Sequence, residues 1–224
     1  MDTRLYNSLR KSIIFKDVSE VNFNEIVNEI PFRILDYKKN EILFFEGDDC
    51  NSIGIVLDGE VEVNKGLTIG KKVNITKIKA GDMFAEAVVF SQYHKFPATI
   101  EASSDSKVLF ISRENIVKMC SKYPDFIEKF MGILSTKISI LNHKVSLLSM
   151  KSIRHKILFY ISKEGKQDKN GHLSIKIAKQ DLANKIGVER PSLSRELIKM
   201  QDENMLNMDG KKITVICDIN EYLI

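Results

Sequence analysis

The sequence predicts an α+β protein: an N-terminal antiparallel β-roll, one long amphipathic helix, and a small helical unit closed by a hairpin. Three observations point there. Short β-type runs separated by Gly, Asp and Asn turns fill residues 32–112, and regularly spaced runs of that kind build an antiparallel sandwich or small barrel. After Pro124 the apolar residues recur at alternating spacings of four and three, which is a helical period. Beyond residue 150, two short helical patterns flank a glycine and lead into a second β pattern.

The elements follow in order. Residues 19–30 read as a short helix able to cover one edge of the roll, and the strands are "RILDY", "EILFF", "SIGIVL", "EVEVN", "KVNITKI", "ATIEA" and "KVLFI". Turns fall at Gly47-Asp48-Asp49, Asp58-Gly59, Lys65-Gly66 and Ala80-Gly81-Asp82. In the long helix, Ile127, Met131, Leu134, Ile138, Leu141, Val145 and Leu148 form a heptad-like stripe. That is the outline of a dimer seam, although a helix buried in a monomer core would carry one too. Phe126, Phe130, Ile133, Ile140 and Leu147 make a second apolar face for packing on the helix's own chain.

Ser152 is placed to cap the next helix, "IRHKILFYISKE", and Gly165 to end it. A polar loop and the strand "LSIKI" lead to the helix "KQDLANKI", a break at Gly187, and the helix "RPSLSRELIKMQDENM". Pro191 sits early in that helix, where its missing N–H is tolerated. "LNMDGKKITVI" closes the chain as a hairpin with an Asp-Gly turn. The expected domains are a β-roll over 1–123, a dimerisation helix over 124–150 and a C-terminal unit over 151–224.

Charge divides unevenly. Residues 1–150 hold 20 Lys/Arg against 20 Asp/Glu, and residues 151–224 hold 14 against 10, so the whole formal excess of +4 lies in the last third. A basic C-terminal unit beside a neutral one suits a polyanionic partner; a solvated Lys-rich surface reads the same way on charge alone. Cys50, Cys120 and Cys217 are far apart and odd in number, which fits buried thiols better than a disulfide framework or a metal pair. The four histidines show no i, i+4 pair, and no nucleophile, paired-carboxylate or phosphate-loop signature is present, so the sequence offers no catalytic constellation. Without an apolar leader or a long apolar run, a cytoplasmic location with no membrane association is expected.

Strand, helix, Gly turn, helix and β wing together spell a winged helix-turn-helix. Behind a roll and a long seam helix, the arrangement resembles the CRP/FNR family of bacterial transcription regulators over nearly the whole chain. The most specific stretch is "IKIAKQDLANKIGVERPSLSRELIKMQDENML" with "GKKITV"; "FFEGDD" and "VLDGEVEV" resemble turns of the family's effector roll. "AGDMFAEAVVF" with "FPATIEA" occupies the place of its phosphate-binding cassette. The resemblance implies a homodimer on double-stranded DNA, with RNA polymerase as a further partner if the protein activates.

In the second helix of the motif, Arg190 and Arg195 suit bidentate contacts to guanine, and Ser192 and Ser194 offer short hydroxyls. By position, Arg195 corresponds to the family's principal base-reading arginine. Lys179 and Gln180 fall where family members hold phosphate. Lys211 and Lys212 in the wing add charge, or are simply solvated turn residues. Where many members place a glutamate that reads cytosine, this chain has Pro191, so the family's usual half-site does not carry over unchanged.

The cassette departs further. Members that bind cyclic AMP hold its phosphate with an Arg-Ser or Arg-Thr pair; here the aligned residues are Phe96 and Pro97. Ala85 replaces the glycine before Glu86, and Leu141 and Asn142 replace hydroxyl residues on the long helix. Glu86 alone survives, so a cyclic nucleotide is not the expected effector. No N-terminal cysteine cluster exists for an iron–sulfur centre. "FPATIEA" also resembles clostridial-type members that govern nitrosative-stress genes, some of which bind haem and sense a diatomic gas; His94 and His143 are the candidate ligands, each equally readable as a structural histidine. The rival readings are a ligand-binding module with a protein-binding last domain and a regulator that does respond to cyclic nucleotides.

Overall fold

The computed structural model describes residues 3–67, 71–150, 152–169 and 171–222. The chain divides into two compact units, Met1–Thr136 and Lys137–Ile224.

The first unit runs α1 (Thr3–Arg10), α2 (Glu20–Glu29), β1 (Arg33–Tyr37), β2 (Ile42–Phe44), β3 (Ser52–Asp58), β4 (Glu60–Leu67), β5 (Lys71–Lys79), β6 (Met83–Phe84), β7 (Thr99–Ala102), β8 (Ser106–Ser112) and α3 (Arg113–Lys122). Two antiparallel four-stranded sheets, ordered β1-β8-β3-β6 and β2-β7-β4-β5, make the expected roll. The inner strands β3 and β8 are apolar almost throughout, and Ile53, Ile55, Val56, Val108, Leu109 and Ile111 are fully buried. Such continuous runs mark strands covered on both faces, whereas β7 alternates. Gly54 is required by close approach, because a Cβ there would lie 2.1 Å from the Phe84 ring.

Phe15, Phe23 and Phe126 join the roll to its flanking helices in one core. Ser19 caps α2, and its own N–H donates to Asp125 Oδ2 at 2.8 Å while Asn22 donates to Oδ1 at 2.7 Å. One carboxylate thereby ties the start of α2 to the start of α4 (Pro124–Ser149).

Helix α4 passes from the first unit into the second. Phe126, Phe130 and Ile133 are buried in the first core and Leu147 in the second, whereas Ile140, expected on the same buried face, is exposed. The seam stripe faces outward: Ile127, Met131, Ile138, Leu141, Val145 and Leu148 are between 40% and 66% exposed, and Leu134 is half-buried against the first core.

The second unit continues with α5 (Ile153–Glu164), β9 (Lys166–Gln167), β10 (Leu173–Lys176), α6 (Lys179–Ile186), α7 (Arg190–Asp202), β11 (Leu206–Asp209), β12 (Lys212–Val215) and a 3₁₀ turn at Ile219–Tyr222. Its sheet is ordered β11-β12-β10-β9. Several local expectations are corrected. Ser152 stands at the N-cap of α5 but its hydroxyl makes no capping bond, and Gly165 ends the helix with a negative φ. Glycine is needed at 165 for space, since a Cβ would lie 2.4 Å from the Ile161 carbonyl oxygen. Helix α7 stops at Asp202 rather than reaching Met205, because Asn204 turns into the left-handed region at φ +56°. Asp209 pairs with Lys212, so the wing turn is Gly210-Lys211, one residue later than expected. No described helix is long and apolar enough to cross a membrane.

Candidate functional site

The second unit is organised around α7. Leu193, Leu197 and Met200, at i, i+4 and i+7, are fully buried with Leu182, Ala183 and Ile186 of α6 and Ile157, Leu158 and Ile161 of α5. Each such anchor stabilises by about 1.5–3 kcal/mol, which fixes the rotation of α7 about its axis. The opposite face is then determined: Arg190, Pro191, Arg195, Ile198 and Lys199 are exposed, and Ser192 and Ser194 are half-buried beside them. The Arg195 Nη2 donates to the Ser192 hydroxyl at 3.4 Å, a long, exposed bond that a stronger acceptor can replace.

The turn between the helices has a definite geometric cause. Gly187 sits at φ +66°, ψ +48° and donates its N–H to the Ala183 carbonyl, the left-handed cap that glycine adopts without strain. Both helices begin without a side-chain cap, at Ala178 for α6 and Glu189 for α7. Backbone N–H groups at such ends suit phosphate oxygens. Lys179 is the first residue of α6 and half-buried, and Gln180 is exposed with its amide donating to Asn184.

Sequence reasoning missed two features of this unit. Lys176 ends β10 directly opposite Lys212 of β12, and the Ile177 N–H donates to the Lys211 carbonyl at 2.9 Å. The wing turn is thereby fastened beside the start of α6, with Lys176, Lys211 and Lys212 all exposed. The second missed part is Arg154 on α5. It donates from Nε to Glu196 at 2.8 Å and pairs through Nη1 with Glu203 at 2.7 Å, bracing α7 at two points from behind. Glu203 first and Glu196 second hold the Arg154 guanidinium charged. The partners are 42 and 49 positions away in sequence, so no local pattern announces them.

In the first unit, the cassette follows β6. Ala85 adopts φ +68°, a conformation glycine reaches more cheaply, and accepts backbone bonds from Val88 and Val89. Glu86 is buried. Phe96 is 3% exposed, and its ring stacks on Phe44 with centroids 4.3 Å apart and planes 18° from parallel. Its backbone is pinned by Phe96 N–H to the Asp48 carbonyl and Gly47 N–H to the Phe96 carbonyl, both at 2.9 Å. Pro97 is exposed. Phe96, the residue expected at the cassette's phosphate-binding position, is therefore a core aromatic.

His94 takes φ +44°, and its Nδ1 is buried without a hydrogen-bond partner among the described residues. His143 lies in the second unit, its ring edge-on to Phe159 at 5.0 Å and its Nε2 likewise buried and unpartnered among the described residues. Leu141 and Asn142 are exposed on the second-unit part of α4. No cluster of three metal-ligating side chains occurs among the described residues.

The cyclic nucleotide-binding domain profile matches residues 34–123, and the Crp-like helix-turn-helix domain profile matches residues 148–221. The cAMP-activated global transcriptional regulator CRP of Haemophilus influenzae is 22% identical over 183 residues, spanning 80% of this chain and 82% of that protein. Among solved structures, the catabolite activator protein of Thermus thermophilus superposes with a TM-score of 0.54 at 18% identity, covering 95% of this chain and 98% of that one. DNR from Pseudomonas aeruginosa gives 0.52 at 20% identity, with 99% and 98% covered. At these identities the two structures speak for the fold, while the two profiles together account for most of the chain. A roll of the cyclic nucleotide-binding type followed by a Crp-like helix-turn-helix makes this chain a member of the CRP/FNR family of DNA-binding transcription regulators with an effector-binding domain.

Proposed function

We propose that the protein works as a homodimer that reads a two-fold-related DNA site with α7, under the control of an effector other than a cyclic nucleotide. The observation that carries this reading is the division of α7 into a buried face of Leu193, Leu197 and Met200 and an outward face bearing Arg190, Ser194 and Arg195. Arg195 reads a base, Arg190 assists, and Lys179, Gln180, Lys176, Lys211 and Lys212 contact phosphates. The outward apolar stripe on α4 supports a dimer, since large apolar side chains aligned on one helix face gain most from a matching partner. Two recognition helices then enter successive major grooves about 34 Å apart. If the protein activates, RNA polymerase is its further partner; no catalytic step is assigned to it.

Burial of Phe96 against Phe44 supports an apolar or haem-like effector, because burying a cyclic phosphate there would desolvate its charge without supplying donors. Calorimetry with cyclic AMP and cyclic GMP is expected to show no saturable heat, and a clear site for either would overturn the effector reading. DNA binding itself is tested by salt titration: phosphate contacts release counterions, so affinity falls steeply with salt. Binding to a protein partner with no affinity for DNA would instead favour the rival module.

A further inference from the structure

The first unit contains a cleft of about 510 Å³ that none of the cassette residues lines, at the end of the roll where β1 and β2 meet β8. Its apolar wall is Leu35, Leu43, Phe44 and Phe110. Phe110 is buried and meets Phe44 edge-on, ring centroids 5.8 Å apart. Phe44 is also the ring on which Phe96 stacks, so this wall is well supported from behind. Such a volume lies within the usual range for small-molecule sites, which combine an apolar lining with a few polar groups.

The polar groups are unequal in sign. Asp49, the carboxylate on the lining, is already paired with Lys95 Nζ at 3.1 Å. Arg33 is exposed at the edge of the cleft and has no ion-pair partner among the described residues. Tyr37 lies on the same side; burial pushes its phenol up and the neighbouring Arg33 charge pulls it back, leaving it an O–H donor at neutral pH. One uncommitted guanidinium and a phenol on the same strand match a single carboxylate, and a phosphate dianion would need more positive charge than the one cation of the lining supplies. The aromatic wall calls for a ring, which gains edge and face contacts that an alkyl chain does not.

We infer that this cleft binds a small arylalkyl monocarboxylate, with the ring against Leu43, Phe44 and Phe110 and the carboxylate on Arg33 and Tyr37. The inference is independent of which effector the cassette takes. The test is titration of the full chain with 3-phenylpropionate, 3-phenylpropylamine and hexanoate, followed by calorimetry and by ligand-observed NMR. The expected result is one saturable 3-phenylpropionate site per chain, with the amine and hexanoate each bound at least several-fold more weakly. Arg33→Met, a change at an exposed position, should weaken binding by at least about tenfold, and Leu43→Trp should abolish it by filling the cleft. Arg113→Met removes a guanidinium lying 5.6 Å over the Phe90 ring instead and should leave affinity unchanged. Absence of binding up to about 10 mM, a generous limit for so few atoms, would overturn the inference. So would retained affinity in Arg33→Met, or an amine or hexanoate that binds as well as the arylalkyl acid.

Discussion

Lys176 at the end of β10 stands directly opposite Lys212 at the start of β12, two like charges in register across an antiparallel pair. Such a pairing destabilises a sheet by up to about 1 kcal/mol, and an anion lying across both ammonium groups relieves it. Replacing both lysines by Gln should therefore leave stability unchanged or raise it by up to about 1 kcal/mol. The same change should make the salt dependence of DNA binding shallower by about two phosphate contacts per half-site. Urea melts and fluorescence anisotropy at several salt concentrations check both halves. A less stable variant with an unaltered salt slope would remove these lysines from the interface.

Arg195 and Lys179 are expected to fail in different ways. Arg195→Ala should lose about 1–3 kcal/mol of affinity and relax discrimination at one base pair per half-site, whereas Lys179→Ala should weaken all sequences alike. Binding measured on the selected site and on single-base variants separates them. Equal, sequence-blind losses would contradict the division of roles.

The brace behind α7 has its own signature. Arg154 and its two glutamates are only partly exposed, so Arg154→Met should lower stability by about 1–2 kcal/mol after allowing for solvent screening. Because the guanidinium stays charged at all ordinary pH values, its replacement should not shift the alkaline limb of stability near neutrality. DNA affinity should fall although Arg154 touches no base. Melts and anisotropy on the same variant test this, and unchanged values in both would show that α7 is positioned by its apolar face alone.

Leu141 is the sharpest probe of the seam. Leu141→Glu would place two carboxylates in an apolar dimer interface, at about 3–5 kcal/mol, and because Leu141 is 60% exposed in the single chain the monomer fold should survive. Sedimentation is expected to show a monomer with an intact circular dichroism spectrum. A dimer that persists would move the interface elsewhere.

These results also show which features a sequence carries in local pattern. The strands Arg33–Tyr37, Ser52–Asp58 and Ser106–Ser112 and the Gly187 turn were readable because apolar period and glycine placement are local. Helix α3 carried a readable cap, Ser112 accepting from the Asn115 N–H, yet its weak apolar period concealed it. Strand β6, two residues long, is too short for any period. At the candidate site, the Arg and Ser residues of α7 were legible from the resemblance of their segment to the family's recognition helix, whereas Lys176 opposite Lys212 and Arg154 against Glu196 depend on register and tertiary packing. Phe96 is the intermediate case. The aligned motif identifies it as a departure, but only its stacking on Phe44 makes it a core residue.

The most direct test of the account is selection of binding sites from random duplex DNA by the full-length protein, with a salt titration of the winning sequence. The expected result is a two-fold-related consensus whose half-sites are centred about 34 Å apart, bound with steep salt dependence and lost in Arg195→Ala. A consensus with a single half-site, or no enrichment at any salt concentration, would contradict it.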